Sequence, residues 1–153
     1  MEGVITMQNR FTNWVYVVSL GSDIPEWSDI SWIDIANKKL KYFYPFDHKS
    51  WPNEPPNYIA FRYYSKLQSI HHIERYQVAE EMHSNIPEIK AGAWEPHFLF
   101  DLGKPFRPDH DVPTGPRIKR ANRVWVLLDT LFTSDTISDA LTETEKRKAQ
   151  EDN

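Results

Sequence analysis

From Tyr58 to Val78 the chain alternates aromatic, aliphatic and polar residues in a pattern that suits extended backbone with one face buried. Ile59, Phe61 and Tyr63 point to one side of such a strand, and Tyr58, Ala60 and Arg62 to the other. Tyr64, Ser65 and Lys66 supply a turn, and Leu67 to Val78 returns antiparallel, which makes the stretch a β-hairpin. Strict alternation fails around Ser69 to Ile73. There Ile70 and Ile73 stand three apart and share a face only if one extra residue is inserted, so a β-bulge is expected. Bulges re-aim side chains and are frequent beside binding sites, which makes Arg62, Ser69, His71 and His72 the first candidates for function.

A hairpin needs a core to pack on, and 153 residues supply one without staples, so a single domain over residues 1–153 is expected. The absence of cysteine excludes thiol nucleophiles, zinc–cysteine sites and disulfide frameworks. Hydrophobic residues at 40% and aromatics at 14% specify a packed globule, while eleven prolines against five glycines imply rigid loops. The best apolar run, Val124 to Phe132, is short and interrupted by Asp129, so no membrane span is expected. Nothing near Met1 has the pattern of a secretory signal, and a cytoplasmic location is the expectation.

The net charge of −4 is unevenly spread. Lys104, Arg107, Arg117, Lys119, Arg120 and Arg123 face only Asp109 and Asp111 in their segment, whereas the tail from Asp129 carries seven acids against three bases. A local basic lobe steers a polyanion whatever the total charge, so those six residues are candidate phosphate contacts. A solvated, solubilising loop is the plainer alternative.

Along the chain, residues 1–13 read as a lead-in without chemistry. Trp14 to Leu20 is a strand whose continuous apolarity predicts burial on both faces. Glu26 to Ile35 suits a short helix or a loop that folds Trp27 and Trp32 onto the core. Lys38, Lys39 and Lys41 then introduce Tyr42-Phe43-Tyr44 as an edge strand, with lysines discouraging edge pairing. The proline-rich segment from Pro45 to Asn57 is an ordered loop that presents Phe46 and Trp51 either to a pocket wall or to the end of a barrel. Pro96 to Leu102 is a strand with Phe98 and Phe100 on one face and His97, Leu99 and Asp101 on the other. Arg123 to Thr133 is an apolar run that periodicity alone does not assign between buried strand and helix, and a strand running into a helical turn is the expectation. A final helix starts at Ser134 to Thr136 and carries an apolar stripe of Ile137, Ala140 and Leu141.

Motifs that carry chemistry are sparse. His71 and His72 are adjacent on a strand and project to opposite faces, so no metal is expected at the pair; one imidazole should be buried and hydrogen-bonded while the other lines a surface. Asp109-His110-Asp111 lacks a nucleophile placed by any motif. Glu88-Ile89-Lys90 matches the carboxylate-x-lysine end of nuclease motifs, but Pro87 argues against a core strand there. Five scattered glycines build neither a P-loop nor a dinucleotide fingerprint, and no cofactor is expected. What remains is aromatic. Six tryptophans and seven tyrosines, several beside turns or basic residues, suit stacking on a nucleobase or anchoring a protein interface.

The hairpin Tyr58 to Val78 with its Ser69-Ile70-His71-His72-Ile73 step, the strand Trp14 to Leu20 and the strand Phe98 to Gly103 together resemble PUA-like domains, the superfamily of EVE, ASCH and YTH modules. The resemblance covers about 90 residues and implies an α+β fold: a small mixed or antiparallel β-barrel with flanking short helices and a C-terminal helix. It also implies nucleic-acid or nucleotide recognition, with a modified base held in an aromatic pocket formed by Trp14, Tyr16, Ser19, Trp32, Trp51, Arg62, Ser69 and His71, beside His72. Catalysis is not the leading expectation. The alternatives are a protein-interaction or inhibitory accessory module that uses exposed aromatics, and an ASCH-like hydrolase of RNA or a modified nucleoside working through His71 and Glu74.

Overall fold

The computed structural model describes residues 5–6 and 12–152, an α+β chain of seven strands and three short helices. They are β1 (Ile5–Thr6), β2 (Trp14–Ser19), α1 (Trp32–Lys39), β3 (Lys41–Pro45), β4 (Tyr58–Tyr63), β5 (Lys66–Ala79), β6 (His97–Leu102), β7 (Val124–Leu127), α2 (Leu128–Thr133) and α3 (Ile137–Glu151). Chain contacts divide them into two units that share β5. The first unit comprises residues 5–6, 21–55 and 72–104, the second residues 12–20, 56–71 and 105–152.

In the second unit, β2 lies between two partners. It runs parallel to β4, from Val15 opposite Tyr58 to Ser19 opposite Arg62, and antiparallel to β7, with Tyr16 opposite Trp125. The sheet is therefore mixed. Val15, Val17, Ala60 and Val126 face a core completed by Leu67, Ile70, Val112, Ile118, Leu131, Ile137 and Ala140. Val15 to Val18 are all buried, as the apolar run of β2 predicts. Helix α3 begins where Thr136 accepts the amide of Asp139, an N-cap worth about 1 kcal/mol. It turns Ile137 and Ala140 inward and packs Leu141 against the same cluster, which is the predicted stripe. Residues 124–133 form a short strand and then a short helix, also as expected.

The hairpin joining β4 to β5 is tighter than the sequence implies. Its turn is Tyr64-Ser65 alone, both with positive φ (54° and 66°), and Lys66 already belongs to β5. Two left-handed residues give the turn the twist that antiparallel strands require. The break in alternation is also displaced. Leu67 and Ile70, three apart, both enter the core, and the ladder register between β5 and β6 shifts between Ile73 and Arg75, just beyond the expected bulge.

In the first unit, β6 pairs antiparallel with both β3 and the second half of β5, and β3 lies at the margin, as an edge strand should. Helix α1 starts at Trp32 and runs through Lys38 and Lys39, so those lysines support the C-terminal end of a helix and do not lead into the edge strand. Ser31 caps it, and Leu40 ends it in the left-handed region. Trp27, Trp32 and Trp94 surround Phe43 above Ile35, Met82, Ile86, Ile89 and Leu99, so the indoles near α1 do fold onto a core. The expected lead-in is not wholly featureless, since β1 pairs antiparallel with Arg75 and Tyr76 of β5.

Candidate functional site

In the second unit, the pairing of β2 with β7 brings aromatic and basic side chains together. Tyr16 stands opposite Trp125, their rings 4.7 Å apart, and Trp14 meets Trp125 edge-on at 6.4 Å. Burial separates their roles. Tyr16 is 5% exposed and packs, whereas Trp125 is 36% exposed and keeps part of its surface in solvent. Arg123, two residues before Trp125 and so on the same side of an extended chain, donates from Nε to the Tyr16 hydroxyl at 2.8 Å. Burial pushes the Tyr16 phenol up, and Arg123 opposes that without reversing it. The phenol therefore stays protonated near neutral pH and serves as an acceptor for Arg123.

The segment before Arg123 is held at both ends. At its start, Ser138 of α3 accepts the amide of Arg117 and donates to the carbonyl of Thr114, and Arg117 itself binds Thr142 and Glu145. At its end, Arg62 donates from Nη2 to the carbonyls of Arg120 and Asn122. Between them Lys119 and Arg120 are exposed, and neither forms an ion pair among the described residues. Arg62 is 7% exposed, and burial pulls its guanidinium down from the usual arginine range. Its Nε is buried without a partner among the described residues.

Ser19 lies beside Arg62 in the β2–β4 register. Ser69 and His71 pair with each other at 2.9 Å, both buried, with Phe61 against the imidazole. His72 is half-exposed and binds Glu74 at 2.8 Å. One histidine is thus buried and the other superficial, and the carboxylate available for a hydrolase pairs with His72 in preference to His71. Trp32 and Trp51 belong to the first unit. Trp32 packs on Phe43, and Trp51 stacks on Tyr44, whose hydroxyl donates to Pro52. The eight aromatic and polar residues expected to form one pocket are therefore divided between units, each with packing of its own.

Of the six expected phosphate contacts, Lys104 lies in the first unit and the other five in the second; Arg117 is committed to α3 and Arg123 to Tyr16. Arg107 lines a cavity of about 150 Å³ with Leu67, Pro108, Asp109, His110, Asp111 and Val112. His110 sits 3.1 Å from the carbonyl of Ser134 and 3.5 Å from Asp109. Those two neighbours, Ser134 first, raise its pKa. Among the described residues no three metal-binding side chains gather, and no helix is long and apolar enough to cross a membrane.

Sequence reasoning passes over Trp125, because the run around it reads as a buried strand. A signal is present, since Arg123 and Trp125 alternate on one side of that strand and place a cation beside an indole. Compared with known proteins, the chain matches no family model, no curated protein and no solved structure.

Proposed function

We propose that this chain is a non-enzymatic recognition module of PUA-like barrel type that binds single-stranded nucleic acid or a nucleotide, with Trp125 as the stacking surface for a base. The observation that carries this reading is the half-exposed indole set against Tyr16 and Trp14, with Arg123 tied to the same phenol and the exposed Lys119 and Arg120 in the preceding loop. A base stacked on an aromatic contributes roughly 1–3 kcal/mol, and nearby cations hold the backbone phosphates.

The test is titration of fluorescently labelled single-stranded RNA and DNA, with unmodified and modified bases, at two salt concentrations. Trp125→Ala should weaken binding by about 1–3 kcal/mol, roughly five- to 150-fold, with little change in salt dependence. Absence of binding at both salt concentrations removes the proposal. A second reading, protein interaction, is favoured by one separate observation. Phe106 and Phe132 stack at 6.2 Å while 37% and 39% exposed. If that pair is an interface, replacing both with serine changes the elution of the chain or its complex in size-exclusion chromatography and leaves oligonucleotide binding intact.

A further inference from the structure

Arg62 has the chemistry of a ligand contact, yet its geometry assigns it another task. Its side chain is more than nine-tenths buried on β4, and its Nη2 donates to two carbonyls, those of Arg120 and Asn122, 58 and 60 residues further along the chain. Among the described residues it forms no ion pair with a carboxylate, and its Nε stays unpartnered. A buried cation without a counter-ion is costly, and each charge-assisted bond to a carbonyl offsets part of that cost. The loop meets its side of the clamp in strained backbone, for Arg120 has φ of 26°, outside the favoured regions for a side chain with a Cβ. Strain of that kind persists only where the surroundings over-determine it.

We infer that Arg62 is a positioning residue for anion binding: its buried guanidinium fixes the 119–123 segment by the carbonyls of Arg120 and Asn122, so that the Lys119 and Arg120 side chains stand outward to receive phosphate. With no carboxylate paired to it among the described residues, Arg62 also adds positive potential beneath the loop, and an anion bound above relieves the burial of that charge. The inference rests on the nucleic-acid reading for its ligand and on the clamp geometry alone for its mechanism. The bonds to two carbonyls explain why arginine suits this position better than lysine, whose single ammonium has a shorter reach.

The clamp can be read without any ligand. Lys119, Arg120 and Arg123 are trypsin sites within the loop, and the exposed Lys90 and Lys148 are sites outside it. In Arg62→Met, cleavage at 119–123 of the native protein should accelerate at least about tenfold, with Lys90 and Lys148 cut at the wild-type rate, because local opening governs native-state proteolysis. Arg62→Lys should fall between, and it carries the test alone if the methionine variant does not fold. Binding of a labelled single-stranded oligonucleotide then reads the function. Arg62→Met should lower the salt slope by about 0.7 for each phosphate that the freed loop no longer holds, although no substituted atom touches phosphate. A loop cut no faster in either variant overturns the clamp, and a freed loop with unchanged affinity and slope overturns its role in anion binding. A wild-type chain that binds no oligonucleotide at either salt concentration overturns the ligand assignment, while the cleavage pattern still decides the clamp.

Discussion

At Gly115 the backbone takes φ of 82°, and a Cβ built there would stand 2.6 Å from Ser138 Oγ and 2.8 Å from its Cβ. Both facts exclude a side chain. The loop must lie close because Pro113 and Thr114 supply carbonyls to the amides of Ile137 and Ser138, the first turn of α3. Gly115→Ala should therefore cost about 2–4 kcal/mol, the sum of left-handed strain and overpacking, read as a lowered midpoint in urea. Gly103 is the contrasting case. Its nearest obstacle is the flexible carboxylate of Glu74 at 2.7 Å, and its φ is not positive, so Gly103→Ala should cost less than about 1 kcal/mol. Neither difference is visible in the sequence, where both glycines sit near a proline in similar loops. The partner that distinguishes Gly115 lies on α3, and only folding reveals it.

The elements are the most legible level of the molecule, because strands and helices announce themselves by local period and by capping residues. Trp14–Ser19 follows from a continuous apolar run, and Tyr58–Tyr63, His97–Leu102 and the stripe of α3 follow from alternation or from i, i+3 spacing. What fails is what depends on distant partners. The turn Tyr64-Ser65 carries no glycine or asparagine, so nothing marks it as two left-handed residues. That mismatch predicts a gain: Tyr64→Asn with Ser65→Gly should stabilise the hairpin by about 1–2 kcal/mol, seen as a higher Tm. Asp101 links three strands of the first unit, accepting Lys41 of β3 and Arg75 of β5 from its place on β6. Burial raises its pKa, but the two cations outweigh burial and hold the carboxyl below its usual range. Its pairing is fully present above the unfolded carboxylate value, near pH 4, and is lost as pH falls through the lower folded value. Wild-type stability should thus fall, as pH drops below about 4, more steeply than that of Asp101→Asn, which starts lower by about 1–2 kcal/mol.

Over the whole molecule, a net charge of −4 and a pI near 5.8 argue against a polyanion partner if charge is treated as uniform. It is not uniform. Acids outnumber bases in the first unit, whereas in the second they nearly balance, with the bases concentrated in residues 107–123. At physiological ionic strength the Debye length is about 8 Å, so a phosphate at Lys119 responds to the loop and not to distant carboxylates. Oligonucleotide binding should therefore weaken with salt despite the acidic total. If Arg107, Lys119 and Arg120 each meet one phosphate, the slope of log K against log salt is about −2 for a single strand. The double variant Lys119→Glu, Arg120→Glu should flatten that slope by more than about one and weaken binding most at low salt. Lys49→Glu, an exposed change in the first unit, should leave the slope unchanged, whereas Trp125→Ala should shift the whole line downward in parallel. An equal response to Lys49→Glu and to the loop variant would mean that total charge controls binding, and the loop would lose its claim as the phosphate site.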